Sequence, residues 1–288
     1  MQPTEKSTEF WLCFGLILVL GGWTRFKEVD QPAWVCWDET HFGKMGSWYI
    51  NRTFFFDVHP PLGKMIIGGV GYLTGYNGTF AFEKPGDLYH DHNYLGMRIA
   101  CTFLGACLIP FSFLTVWEFT HSINAAFFAG ILIVFGKSKL SVINRNNFLK
   151  VPPDTNTCYN VSDIGMLTLN QYILLDPILL FFISGATYAM SKFRNLSNQE
   201  FTFKWYLWLS LMGAFIGCAF SVKFVGLFVI LLIGINTIAQ LWDIMGDLSK
   251  PFTHTIKHFI ARAFCLIALP IVLYITFFYI HLSVLYKS

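Results

Sequence analysis

The chain has 288 residues, 55% of them hydrophobic and only 13% charged, against about 25% charged in a typical soluble domain. That balance excludes a soluble enzyme built on one large core and reads as a polytopic membrane protein, all-α because backbone amides inside lipid need internal partners. The net charge of +3 is too small to imply a nucleic-acid partner.

Hydropathy predicts seven spans, at roughly 8–26, 95–117, 122–137, 172–190, 205–221, 224–242 and 259–281, to set against about 30 Å of hydrocarbon at 1.5 Å per residue. The first has no small-residue cleavage site and reads as a retained anchor. Between the first two lies the loop 27–94. Two amphipathic stretches fall inside it: Phe42, Met45 and Tyr49 in 39–50, and Leu62, Met65, Ile66, Val70 and Leu73 in 60–73. The second follows two prolines suited to a helix start, and both predict short helices along the membrane surface. The loop also holds a polar patch, Trp37-Asp38-Glu39-Thr40-His41-Phe42-Gly43-Lys44 and Phe56-Asp57-Val58-His59-Pro60-Pro61-Leu62-Gly63-Lys64.

Loop charge sets an expected orientation. Lys192, Arg194, Lys204, Lys250 and Lys257 share the side of the N-terminus, which reads as cytosolic; Arg25, Lys27, Lys137, Lys139, Arg145 and Lys150 pull the other way. The polar patch then faces a lumen. The sequons at Asn51, Asn77 and Asn160 fall on that side as glycosylation candidates, and Asn195 falls on the opposite one. Cys13, Cys101, Cys107, Cys218 and Cys265 sit in apolar runs as small core residues. Cys36 and Cys158 are the pair that loops could bring together.

Asp38 can act as a general base toward an alcohol or cap the helix at 39–50. Glu39, its neighbour on a helix start, points elsewhere. Asp57 and His59 precede Pro60, which fixes the direction of His59, and they too can be read as capping residues. Arg98 opens the second span and Lys223 lies between the fifth and sixth. Each can meet a lipid-borne phosphate or simply snorkel to the interface. Asp176 sits near the start of the fourth span. No clear metal-ligand spacing is present, so no metal or firm cofactor is assigned. These residues point to a membrane enzyme acting on a lipid phosphate, with a transporter as the rival; against the rival, the charges gather at one face rather than at the midplane.

The motifs around Asp38-Glu39, Asp57-Val58-His59-Pro60-Pro61, Gly96-Met97-Arg98, Gln171-Tyr172-Ile173-Leu174-Leu175-Asp176-Pro177 and Val222-Lys223-Phe224-Val225-Gly226 together resemble the protein O-mannosyltransferase family. The resemblance covers roughly 7–136 and 164–287. It implies a GT-C fold in the endoplasmic reticulum membrane and mannose transfer from dolichyl phosphate mannose to Ser or Thr hydroxyls of secretory proteins, dystroglycan-like glycoproteins among them. It implies an inverting displacement with Asp38 as base, Glu39 positioning the acceptor or supporting the loop, and Arg98 and Lys223 stabilising the leaving phosphate. Asp57, His59 and Asp176 would shape the site, and a type-1 subunit would complete a heteromer. By the same resemblance the chain divides into 1–136, an atypical insert at 137–163, and further GT-C helices over 164–288, with the family's MIR domains and C-terminal helices absent. A truncated chain that only associates with the type-1 subunit is the alternative.

Overall fold

A computed structural model describes residues 7–89, 94–135, 170–247 and 249–287. Among these the structure is helical, with isolated bridges at Trp34–Leu88 and Thr53–Lys287 in place of strands. The helices are α1 (Thr8–Phe26), α2 (Glu39–Asn51), α3 (Leu62–Leu73), α4 (Leu95–Ala106), α5 (Leu108–Thr120), α6 (Ile123–Phe135), α7 (Leu175–Arg194), α8 (Phe203–Val222), α9 (Leu227–Gly246), α10 (Phe252–Ala263) and α11 (Leu269–Val284). The two helices predicted inside loop 27–94 form as α2 and α3. The insert 137–163, Cys158 and Asn160 lie outside the described residues.

Among the described residues, five helices are long and apolar enough to cross a membrane: Thr8–Phe26, Leu95–Thr120, Phe203–Val222, Phe224–Gly246 and Phe252–Val284. The other two expected spans also form helices. Of the third, the described residues form the 13-residue α6. The fourth forms the 20-residue α7, long enough but carrying Asp176, Lys192 and Arg194. That helix packs against α4, α5 and α8 and buries Ile178, Ala186, Ala189 and Phe193 in the main core. Its polar ends find partners in protein rather than lipid, so it does not need a uniformly oily surface.

The core divides in three, the smallest part being Tyr49, Phe55 and Leu285. The largest part runs from the α2–α3 loop region through α7 and α8, with Met97, Leu175, Leu209, Met212 and Ile216 at its centre. A smaller one joins α1, α5 and α6 through Phe10, Ile17, Phe113 and Trp117. The last span is a single stack of α10 and α11 joined by a π-turn at Phe264–Ala268. Pro270 follows that turn; lacking an N–H, it cannot complete the regular i to i−4 pattern, and the wider turn absorbs the mismatch.

The two ends of this bundle are polar in different ways. At one end Glu118 pairs with Lys192 at 2.6 Å and accepts from the Asn195 amide at 2.9 Å. At the other, loop 27–61 and the junctions before α7 and after α8 converge. The end of the last span is tied to that loop, because the Phe54 amide donates to the Lys287 carbonyl at 2.8 Å and the Lys287 amide to the Arg52 carbonyl at 3.0 Å.

Candidate functional site

Glu39 and Arg98 form the foundation of the site. Both side chains are fully buried, 0% exposed. Arg98 donates through Nε to Glu39 Oε1 and through Nη2 to Oε2, each at 2.8 Å. Its remaining donors go to the carbonyls of Pro32 at 2.8 Å and Trp34 at 3.1 Å. The rings of Tyr94, Tyr89 and Tyr172 stand 4.8, 5.4 and 5.3 Å from the guanidinium carbon. Glu39 also accepts from the amides of Cys36 at 2.9 Å and Ile173 at 3.1 Å and from the Tyr89 hydroxyl at 3.3 Å. One carboxylate therefore fastens the start of α2, α4 and the entrance to α7 together.

This geometry corrects one expectation and selects within another. Arg98 is not placed to meet a lipid phosphate: it is sealed from the surface and its donors are engaged by Glu39 and the loop carbonyls. Of the two roles expected for Glu39, its partners fit supporting the loop. Removing either member would leave a buried charge uncompensated, which costs about 3–5 kcal/mol.

Asp38 precedes Glu39 and has the opposite fate. It occupies the N-cap position of α2, yet its side chain makes no capping hydrogen bond. Its carboxylate is exposed and forms no hydrogen bond or ion pair among the described residues. The capping alternative thus fails here, since the Glu39, Thr40 and His41 amides donate instead to the backbone carbonyls of Cys36, Trp37 and Asp38. Partial desolvation raises the proton affinity of Asp38, and the negative charge of Asp176 raises it further; Lys223 and His41 oppose the shift. The result is a carboxylate held above its usual range by its surroundings.

Asp176 and Lys223 are brought to the same place by separate helices. Asp176 sits in the first turn of α7, where a carboxylate suits the helix dipole. Lys223 ends α8 in an extended conformation, followed by a short 3₁₀ turn, Phe224–Gly226. Their ion pair spans 2.7 Å and is partly open to solvent. Gly226 allows the chain to fold back on α8, since a Cβ there would lie 2.7 Å from the Ala219 carbonyl group. Gly63 does the same for α3: a Cβ would meet the buried Leu175 at 2.6 Å and Val222 at 3.1 Å, so glycine lets α3 seat against the beginnings and ends of α7 and α8.

Asp57 and His59 reach the site on the chain leading into α3. Asp57 pairs at 2.7 Å with Lys64, itself only 2% exposed. Lys64 also donates to the His59 carbonyl at 2.7 Å and sits over the Phe55 ring. Neither Asp57 nor His59 caps α3, whose N-cap is Pro61 without a side-chain bond. Burial lowers the proton affinity of His59; Asp57 and Asp176 raise it in part while Lys223 and Lys64 lower it, so the ring is held neutral near neutral pH. Asp38, His59, Asp176 and Lys223 form one electrostatic neighbourhood, with Asp57 and Lys64 behind it.

Sequence reasoning passed over three contributors. Lys64 lies in the polar patch but reads as a solvated lysine, and nothing in its spacing shows that α3 buries it. Tyr49 and His281 hydrogen-bond to each other through the Tyr hydroxyl and Nδ1, packed with Phe55. They join α2 to the end of α11 across 232 residues, beyond any local pattern.

A second polar cluster lies at the far end of α8. Glu200, His254 and His258 place ligand atoms within 4.8 Å of one another, a grouping that no spacing in the sequence had marked. Arg262, however, approaches His258 Nδ1 at 2.7 Å through Nη1. A guanidinium only donates, so Nδ1 accepts and Nε2 carries the proton; that N–H faces Glu200 at 3.5 Å without a hydrogen bond, while His254 Nε2 lies within hydrogen-bond distance of Glu200 at 2.8 Å. This arrangement offers the centre an N–H in place of a lone pair, and it works as a hydrogen-bonded clamp between the 195–202 turn and α10. Of the sequons, Asn51 is exposed and its amide donates to the Gly78 carbonyl at 2.9 Å. Asn77 is exposed in a turn closed by Thr79.

The profile of the family described as dolichyl-phosphate-mannose-protein mannosyltransferase matches residues 15–143 and 157–286. Protein O-mannosyl-transferase 2 of Drosophila melanogaster is 50% identical over 286 residues, covering 99% of this chain and 34% of the relative. Protein O-mannosyl-transferase 2 of Danio rerio is 52% identical over 273 residues, covering 95% of this chain and 32% of the relative. A solved structure of the S. cerevisiae protein O-mannosyltransferase Pmt1–Pmt2 complex bound to the sugar donor is similar with a TM-score of 0.84 at 30% identity, covering 98% of this chain and 35% of that one. The chain thus spans about a third of the length of the relatives it matches.

Proposed function

The chain belongs to the dolichyl-phosphate-mannose-protein mannosyltransferase family, with its GT-C membrane fold, and on that premise we propose that it carries the site where mannose passes from dolichyl phosphate mannose to Ser or Thr hydroxyls of secretory-pathway proteins. The observation that carries this reading is the contrast at Asp38: a carboxylate at a helix start that caps nothing, faces solvent, and stands beside the Asp176–Lys223 pair. The raised proton affinity of Asp38 makes it a stronger base.

In this mechanism Asp38 takes the acceptor hydroxyl proton as that oxygen attacks the anomeric carbon. The bond from that carbon to the phosphate oxygen breaks on the opposite face, and the configuration inverts from β to α. Dolichyl phosphate leaves with the bonding pair. Lys223, released in part from Asp176, meets the charge that develops on the phosphate. Glu39 and Arg98 touch neither substrate and fix the positions of Asp38 and Asp176. Neutral His59 lines the site without adding a competing positive charge.

The reading places the reaction at the lumenal face of the endoplasmic reticulum membrane, with the N-terminus cytosolic and a type-1 subunit as partner. Resemblance to a two-subunit yeast complex supports the heteromer. A second reading is association with the type-1 subunit without transfer. Microsomes from cells lacking the endogenous enzyme separate the two, given labelled dolichyl phosphate mannose and an acceptor peptide. Label in the peptide from this chain plus its partner supports transfer. Absence of label, with the full-length version active at equal protein level, supports association alone.

A further inference from the structure

Residues 53–58 carry a pattern that the fold does not use. They lie outside helix, between α2 and α3, and their side chains alternate. Phe55 is buried and Asp57 reaches inward to Lys64, while Phe54, Phe56 and Val58 are 52%, 87% and 70% exposed. Three large apolar side chains at two-residue spacing on one outer face are the signature of a strand with one side on the protein and the other awaiting a partner. The backbone agrees. Thr53 already forms a parallel bridge with Lys287 through the Phe54 amide and the Arg52 carbonyl. Beyond that bridge the amides of Phe55, Phe56 and Asp57 donate to no group among the described residues. By strand alternation the Phe55 and Asp57 amides point away from Lys287.

We propose that segment 53–58 is a docking edge for the acceptor polypeptide, which pairs with it in extended form as an added β-strand and so carries its Ser or Thr to Asp38. The inference rests on the mannosyl-transfer reading and names how that site takes its protein substrate. The competing occupant is lipid, because exposed aromatics near a membrane also anchor loops. The unpaired amides argue against it: backbone donors in hydrocarbon without partners are costly, and irregular segments facing lipid are not found there. A peptide satisfies both features at once. Its backbone meets the free amides, and its alternate side chains lie against Phe54, Phe56 and Val58. Placement agrees as well, since the inward residues of this segment lead directly to His59, in the electrostatic neighbourhood of Asp176 and Lys223. Such an edge predicts acceptors that are locally unfolded around the modified hydroxyl, with apolar or aromatic residues favoured at alternate positions.

The test uses the full-length protein with its type-1 partner in lipid nanodiscs. It carries Asp38→Asn so that peptide is not consumed, with the photo-crosslinker p-benzoylphenylalanine replacing Phe56. A labelled Ser/Thr peptide is added and irradiated, and its backbone amides are N-methylated one at a time. The expected result is a crosslink to the peptide whose apparent affinity falls about five- to tenfold for methylation at alternate amides and stays within about twofold at the others, the size of one lost hydrogen bond per site. Crosslinks only to phospholipid, or only to the protein's own residues beyond 288, would overturn the proposal. So would equal sensitivity of both amide registers. Mannose transfer is assayed separately on the chain without these replacements. A peptide that crosslinks in one register but is never mannosylated would support the docking edge while counting against the catalytic reading.

Discussion

Asp38 and Glu39 are neighbours in sequence and opposites in the folded chain. Glu39 is sealed, bidentate to Arg98 and holding two backbone amides. Asp38 is open, its carboxylate without a hydrogen bond among the described residues, and lies beside a second carboxylate and a cation. Helix geometry separates them, because adjacent residues at a helix start are directed about 100° apart. One side chain then enters the loop core while the other stays on the rim. The division teaches that a charged motif need not act as a unit. Its buried half builds the platform, and its exposed half carries a carboxylate that caps nothing, because backbone carbonyls take the first-turn amides.

Perturbing the platform should give the largest structural effect. Glu39→Gln or Arg98→Ala is expected to destabilise the protein by about 3–5 kcal/mol, read as a lower unfolding midpoint and loss of assembled complex. If either variant assembled with the parent's midpoint, the pair would not be the platform. On the rim, Lys223→Ala is expected to slow turnover by about 10²–10³-fold with little change in midpoint. A large drop in midpoint would reassign Lys223 to the platform with Glu39. Asp57→Asn should cost about 1–3 kcal/mol by leaving buried Lys64 short of an anionic partner, measured by thermal unfolding; an unchanged midpoint would remove Asp57 from the support of the loop.

The smallest effect tests the electrostatics of the rim. The base works deprotonated, so the acid limb of the transfer rate follows the proton affinity of Asp38. Asp176 raises that affinity. Asp176→Asn removes the negative neighbour and also frees Lys223 to lower the affinity further, so the acid limb should move to lower pH. A limb that stays in place, or moves to higher pH, would show that Asp38 does not set it.

Much of this was legible in the sequence. The 3.6-residue spacing of Phe42, Met45 and Tyr49, and of Leu62 through Leu73, marked α2 and α3, and the polar island marked Asp38, Asp57 and His59. Lys223 stood out as a charge between two apolar runs. What could not be read was pairing over distance. Arg98 and Glu39 are 59 residues apart, and an arginine opening a span looks the same whether it faces phosphate or a buried carboxylate. The same limit hid Lys64, whose burial depends on α3 packing against α7 and α8. It also hid the Glu200–His254–His258 cluster, whose third member comes from another segment. Packing explains a span that composition alone marks weakly: α7 is shielded by α4, α5 and α8, and so can retain charges that hydropathy penalises.

The division of labour between the two carboxylates is tested most directly by single-turnover mannose transfer in the assembled full-length complex carrying Asp38→Asn, at saturating donor and acceptor. The predicted rate is about 10²–10⁴-fold below the parent, with the unfolding midpoint and the partner stoichiometry unchanged. A rate within about twofold of the parent, given that general-base catalysis should contribute far more, would contradict the assignment of Asp38 as the base.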